Sequence, residues 1–295
     1  MSTIKTSAGD RLISITAYLF ITVFAGLCLI PFFLVVGSSF TDEVTLLKEG
    51  YNMWPKKFSI SAYQLALRSN DIVNAYRVTV FVTGVGTVLS MLFTSAIAYA
   101  LSVKSFRMRG KISLFLYFTM LFNGGLVATY LLVSKYLGMR NSIWVLILPG
   151  MLSAYNILIM RNFFNGIPDS LAESARIDGA NEVSILFRII IPISTPGIAT
   201  ISLFYALSYW NEWYRVLLYI TDSKLFTLQY LIMRILRQVN YASTLPSDIM
   251  FAAGALPTYS FRMAAITLAI GPIILLYPFL QKYFVSGLIV GSVKG

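Results

Sequence analysis

Six apolar runs, each long enough to cross a bilayer as a helix, constrain this 295-residue chain more than any other feature: Ile15–Val36, Val78–Leu101, Ile112–Val133, Ile143–Ile159, Ile198–Ile220 and Met263–Tyr283. About 20 apolar residues in helical geometry cover the hydrocarbon layer, and lipid offers no partner to an unpaired amide or carbonyl. The expected fold class is therefore all-α integral membrane, with six transmembrane helices. Composition points the same way. Charged residues make up 12% of the chain and apolar ones 57%, with a mean hydropathy of +0.75. Soluble domains carry about 25% charged residues, so this chain is too poor in charge to clothe a globule in water. The first run is also too long for the apolar core of a cleavable signal peptide.

The formal charge is +11. The basic residues are scattered through interhelical loops without a stripe of interleaved aromatics, so they read as loops facing anionic headgroups and exclude nucleic acid as a partner. With no histidine and one cysteine, Cys28, the chain offers no disulfide, zinc finger, haem ligand or Cys/His nucleophile, and no metal or cofactor is expected. Cys28 itself is expected as a small buried hydrophobe.

Six spans place both termini on one side of the membrane, together with the loops after spans two and four. The loop after span two carries Lys104, Arg107, Arg109 and Lys111 without an acid, which marks that side as the cytoplasm. Gly124-Gly125, Pro149-Gly150 and Gly271-Pro272 interrupt spans three, four and six, as bends or as packing contacts. Between the last two spans, Leu228, Leu231, Ile232, Ile235 and Val239 share one helical face, with Arg234 and Arg237 off it. That segment is predicted as an amphipathic helix lying on the outer surface.

The loop between spans four and five, Ile167 to Pro192, is the most informative. Ser170 and Glu173 have the spacing of a capping box, Gly179 suits the left-handed residue that ends a helix, Asn181 suits the cap of a second helix, and Pro192 suits its end. The expectation is helix, glycine bend, helix, facing the cytoplasm.

Glu173-Ser174-Ala175, three residues, Gly179, nine residues, Ile189-Ile190-Ile191-Pro192 resembles the EAA signature of binding-protein-dependent ABC permeases. Ser174 replaces the usual alanine and Ile191 the usual leucine. Ile167-Pro168, Leu171 and Ile177-Asp178-Gly179-Ala180 resemble the loop of maltose-type carbohydrate permeases. So do Gly124-Gly125-Leu126 with Tyr130, the stretch from Leu137 to Ser142, and Trp210-Asn211-Glu212. The tail from Lys282 to Gly295 is similar to the subgroup handling larger oligosaccharides or polysaccharide fragments, although Ala128 stands where that subgroup often has proline.

The resemblance implies a permease core over residues 75–295, after an N-terminal span and outer loop over 1–74. The loop over 163–192 would be a coupling helix seated in an ATPase cleft, with Glu173, Ser174, Ala175, Asp178, Gly179, Ala180, Ile189 and Pro192 as its coupling residues. It further implies a non-catalytic subunit in the cytoplasmic membrane of a prokaryote. The partners would be a second homologous permease, two ATP-binding subunits, an extracellular solute-binding protein and an oligosaccharide substrate. The sequence itself has no phosphate-binding G-x-x-x-x-G-K-[ST] loop: Gly110-Lys111 is followed by Ile112.

Polar residues within the spans are candidates for the substrate pathway: Asn123, Tyr130, Tyr155, Asn156, Tyr209, Asn211 and Glu212. Each has a structural alternative. Glu212 and Arg215, at i and i+3, could form an ion pair, and the amides and phenols could join helices by hydrogen bonds. Permeases for amino acids, polyamines, osmolytes or phosphate stay open as cargo variants. A proton-coupled secondary transporter would need an acid or histidine relay, which a chain without histidine hardly provides. No constellation supports a membrane enzyme.

Overall fold

The computed structural model describes residues 8–68, 70–242, 259–272 and 274. Among them every regular element is helical, apart from one isolated antiparallel bridge between Thr41 and Phe58. The chain forms two compact units, one from Met1–Ser69 with Ile235–Gly271, the other from Asn70–Arg234 with Pro272–Gly295. The inclusion of residues after 235 in the first unit was not expected from the sequence.

The first unit starts with α1 (Ala8–Ser39), followed by the short helices α2 (Glu43–Glu49) and α3 (Ser61–Arg68). The C-terminal end of α1 is pinned by close backbone approach, since a Cβ on Gly37 would stand 2.1 Å from the Met53 carbonyl oxygen. Glu43 supplies a long-range cap. Its carboxylate accepts from the amides of Tyr259 (3.0 Å) and Ser260 (2.8 Å), satisfying orphan donors at the start of the helix over 259–272.

The second unit begins with α4 (Asn70–Ser102), its central element, then α5 (Arg109–Leu121) and α6 (Gly125–Leu131), which runs into a π-turn over Leu132–Tyr136. α7 (Trp144–Ile147) and α8 (Ala154–Asn165) follow. The interspan elbow is α9 (Asp169–Ile177), α10 (Glu182–Ile185), a π-turn over Leu186–Ile190 and α11 (Ile191–Ile193). α12 (Thr195–Trp210), α13 (Tyr214–Tyr219) and α14 (Leu228–Ala242) follow, and the residues of α14 from Ile235 on belong to the first unit. The core is the seam where α4 meets α8 and α12. There a Cβ on Gly86 would lie 2.7 Å from the Tyr209 ring, so glycine permits the close approach.

Among the described residues, two helices are long and apolar enough to cross a membrane alone, Arg11–Ser39 and Asn70–Ser102. The runs expected as spans three and four are bent at or within a few residues of their Gly124-Gly125 and Pro149-Gly150 interruptions, and a third bend precedes the run expected as span five. Arg109–Leu121 turns by 112° into Gly125–Tyr136, Trp144–Gly150 by 55° into Ala154–Asn165, and Glu182–Ile193 by 90° into Thr195–Trp210. Span five, expected from Ile198 to Ile220, is interrupted between Trp210 and Tyr214. Span four runs on to Asn165, beyond its expected limit at Ile159. Each break has a local cause. Asn123 Oδ1 accepts the Gly125 amide at 2.8 Å, Ser153 Oγ caps α8 through the Asn156 amide at 3.3 Å, and Pro196 lacks the amide that would continue the helix across Ser194. The expected sixth span lies partly, and the tail from Lys282 wholly, outside the described residues.

Cys28 is a correction: it is exposed, on a helix whose apolar stretch has no buried residue. The expected amphipathic helix forms as α14, with Leu228, Leu231 and Ile232 buried, and the Leu228 amide donates to Thr79 Oγ1 at 2.9 Å.

Candidate functional site

The elbow is built by chain termini that satisfy one another. α9 begins one residue before the expected cap, because Pro168 (φ −59°, ψ 129°) already sets the entry to the helix and no side chain caps it. Ser170 and Glu173 thus lie inside α9, and the expected capping box does not form. The first-turn acid Asp169 instead meets Lys104 in an ion pair, which brings the basic loop after α4 against the elbow.

At the other end the expectation of a left-handed glycine holds. Gly179 has φ +83°, and its would-be Cβ meets nothing within 4 Å, so backbone conformation rather than space demands glycine there. The Ala180 amide reaches back to the Ala175 carbonyl at 2.9 Å and the Gly179 amide to Arg176 at 3.1 Å, closing the last turn. Asn181 caps α10 as expected, accepting the Ser184 amide at 2.8 Å. Pro192 does not end this second helix. It lies within α11, just after the π-turn, and the break comes at Ser194.

The two arms are clasped across the bend. Arg176 donates from Nε to Glu182 Oε1 at 2.7 Å and from Nη2 to Oε2 at 3.2 Å, and the Tyr99 hydroxyl donates to Oε2 at 2.5 Å. The Arg176 hydrogen bonds hold the Glu182 carboxyl below the usual carboxylate range, against the opposing effect of burial. Sequence reasoning singled out neither Glu182 nor Tyr99, since the latter lies 83 residues away.

Glu173, Ser174, Asp178, Gly179 and Pro192 are exposed, while Ala175, Ala180 and Ile189 are half-buried. Ile177, at the apex, is 86% exposed. Glu173 lines a 420 Å³ cavity with Tyr99, Lys104, Arg109 and Arg176. The elbow thus presents an apolar tip, the Glu173 carboxylate and a recess lined by Lys104, Arg109 and Arg176 with Asp169.

The span residues do not converge on one site. Asn123 lines a 360 Å³ cavity with Thr129, Tyr214, Arg215 and Tyr219. Tyr130 stacks on Tyr219, ring centroids 5.5 Å apart. Glu212 is bonded on both oxygens: Oε1 accepts the Arg215 amide at 2.8 Å, capping α13, and Oε2 accepts Arg215 Nη1 at 2.5 Å. This is the structural pair that the i, i+3 spacing allowed. Asn211 is held by the Leu207 carbonyl at 2.9 Å and Gln229 at 3.3 Å. Tyr209 is only 1% exposed, with its hydroxyl 3.0 Å from that of Ser90 and 3.1 Å from the Ile147 carbonyl, so it packs into the core. Asn156 is buried as well, and Tyr155 is exposed.

One clasp went unread in the sequence. Asn141 adopts φ 52°, and its Oδ1 accepts the amides of Thr221 (2.6 Å) and Asp222 (3.2 Å). A lone asparagine between Arg140 and Ser142 gives no signal of a partner 80 residues on.

The family described as "Binding-protein-dependent transport system inner membrane component" matches residues 75–290. The polygalacturonan/rhamnogalacturonan transport system permease protein YtcP of Bacillus subtilis (strain 168) is 41% identical over 288 residues, 97% of this chain and 99% of that one. Protein LplC of the same organism is 38% identical over 294 residues, 99% of this chain and 97% of its own. Among solved structures, a chain of a bacterial ABC transporter involved in the import of the acidic polysaccharide alginate aligns with a TM-score of 0.84 at 29% identity, covering 96% of this chain and 100% of that one.

Proposed function

This chain belongs to the binding-protein-dependent transport system inner membrane components, and we propose that it is a transmembrane permease subunit of an ATP-driven importer of oligosaccharides. The relatives include a polygalacturonan/rhamnogalacturonan transport system permease, and others are named for arabinooligosaccharides and galactooligosaccharides. Carbohydrate cargo is therefore favoured over amino acids, polyamines or osmolytes. The subunit itself does no chemistry; ATP is hydrolysed by two partner subunits. A second, related permease completes the pathway, and an external binding protein delivers the sugar.

The observation that carries this reading is the elbow. An 86% exposed Ile177, a Glu173 with no ion pair among the described residues and a recess lined by Lys104, Arg109, Arg176 and Asp169 suit docking into another protein better than solvation. Its two arms are clasped by Arg176, Glu182 and Tyr99, and Tyr99 belongs to α4. A displacement of the elbow by the ATPases would pass directly to the central helix of the unit. Coupling then amounts to a two-state element that ATP-driven closure biases. Six spans follow if the first two bent pairs cross once each, the chain from Thr195 to Tyr219 crosses once, and the run from Met263 supplies the last. The Lys104–Asp169 pair favours one side for the basic loop and the elbow, which charge assigns to the cytoplasm together with both termini. Residues 75–295 form the transport core in this reading, and 1–74 an added span and outer loop.

The test replaces Gly179 by valine and Glu173 by lysine in the assembled importer. Gly179→Val forces a branched side chain into the left-handed region at a cost of about 1–3 kcal/mol, which misdirects α10 without unfolding the unit. Both variants should insert at wild-type yield while losing ATPase binding or sugar-dependent transport. Wild-type binding and transport in both would reduce the elbow to an ordinary loop.

A further inference from the structure

Arg161, near the end of α8, is a cation that the transport reading leaves unused. Its Nη1 donates to Ser113 Oγ at 2.9 Å, and that hydroxyl donates in turn to the Arg109 carbonyl at 2.6 Å. The Nε of Arg161 is buried with no hydrogen-bond partner. An unmet donor on a charged group is expensive in a medium of low dielectric, so it marks a place where an acceptor belongs. The guanidinium borders a 490 Å³ cavity that Arg109, Tyr117 and Asn165 also line, and no lining residue is acidic. Nearby, Lys104 and Arg176 each hold a carboxylate, whereas Arg161 and Arg109 form no ion pair among the described residues.

The cavity opens at one end of an apolar stripe. Leu114 (71% exposed), Tyr117 (50%), Phe118 (53%) and Leu121 (80%) lie at i, i+3, i+4 and i+7 of α5. A ligand that satisfies both features needs an anionic head with forked acceptors and a long apolar tail. Arginine matches the paired oxygens of a phosphate better than any other cationic side chain does, because its donors form a rigid fork. We propose that this pocket binds the phosphodiester headgroup of an anionic membrane phospholipid, with the acyl chains lying along the Leu114–Leu121 stripe. A zwitterionic headgroup fits less well, since its ammonium group would face two unpaired arginines.

The proposal is independent of the cargo, and although Arg109 also lines the elbow recess, Arg161 belongs to this pocket and not to that recess; it is tested on the purified importer complex. The complex is exchanged into phosphatidylglycerol or phosphatidylcholine and examined by native mass spectrometry. Wild type should retain phosphatidylglycerol selectively. Arg161→Gln should lower that retention by about tenfold or more, the effect of losing a hydrogen bond to a charged group. Arg161→Lys should fall between, since it keeps the charge and loses the fork. Arg140→Gln, an exposed cation elsewhere, should change nothing. Should Arg161→Gln fail to assemble, Leu114→Glu puts a carboxylate on the exposed stripe and must also lower retention. Equal retention of both lipids, retention unaffected by Arg161→Gln and Leu114→Glu, or an inorganic phosphate adduct in place of lipid would each overturn the assignment.

Discussion

α1 and α4 are both long enough to cross a membrane, yet they use their side chains in opposite ways. α1 is the more apolar, and none of its apolar stretch is buried; in α4 33% of the corresponding stretch is buried. The buried positions of α4 include Thr79, Ser90, Thr94 and Ser95. Thr94 Oγ1 lies 2.7 Å from the Tyr205 hydroxyl, and Ser90 Oγ lies 3.0 Å from that of Tyr209. In water the order would be reversed, with leucine and isoleucine inside. In lipid the tails are as apolar as leucine, so apolarity gives no reason to pack, and small and hydroxylated residues mark the contacts. A helix as purely apolar as α1 therefore announces a lipid or partner face rather than a core.

The strongest challenge to that contrast is one added side chain on each helix. Gly86→Val drives a Cβ to 2.7 Å from the Tyr209 ring, whereas the same change at Gly26 meets nothing within 4 Å. Overpacking at the α4 seam should cost about 1–3 kcal/mol, read as a lower thermal midpoint and yield in detergent. Gly26→Val should stay within about 0.5 kcal/mol of wild type. Equal effects would mean that α1 is packed as tightly as α4.

A smaller effect separates the hydroxyls. Thr94→Val and Tyr205→Phe, singly and together, form a double-mutant cycle, needed because Tyr205 also accepts the Ser153 amide at 3.2 Å. A coupling of about 0.6 kcal/mol is expected, the average for hydrogen bonds between transmembrane helices. Thr16→Val on α1 should be silent, since that hydroxyl bonds only its own Leu12 carbonyl at 2.9 Å. Zero coupling at Thr94 would leave the α4 seam held by shape alone.

What could be read in advance divides along the same physical line. Gly179 and Asn181 act within a few residues of themselves, so their spacing announced the bend and the second cap. Ser170 and Glu173 had an equally good local pattern, but Pro168 set the helix start and removed their role. The bends at Asn123 and Ser153 lie beside Gly124-Gly125 and Pro149-Gly150, which could be read as bends or as packing contacts, because hydropathy registers depth and is blind to direction. Thr94 with Tyr205 and Arg161 with Ser113 join residues 111 and 48 positions apart. No periodicity encodes such pairs. Nor could the sequence show that Gly86, which receives the Tyr209 ring, lies on a neighbouring helix.

The smallest expected effect lies at the far end of α4, where Tyr99 meets the elbow. There the polar contact is half in water: the Glu182 side chain is 54% exposed and that of Arg176 36%. Hydrogen bonds from Arg176 first, and from Tyr99 after it, lower the Glu182 carboxyl below its ordinary value of 4.5, with burial opposing them. A carboxyl lowered in the folded state contributes stability that is fully present above its unfolded value and is lost as pH falls through the folded one. The difference in thermal midpoint between wild type and Glu182→Gln should therefore be flat above pH 4.5 and shrink below it. Solvent and salt screen so exposed a pair, which places the plateau toward the lower end of about 0.2–1 kcal/mol. High salt should reduce the plateau further, and it should leave the Thr94–Tyr205 coupling unchanged. A difference that instead varied between neutral and alkaline pH would show that a group other than Glu182 governs the clasp, and a plateau as large as the Gly86 effect would make the watery end of α4 its principal anchor.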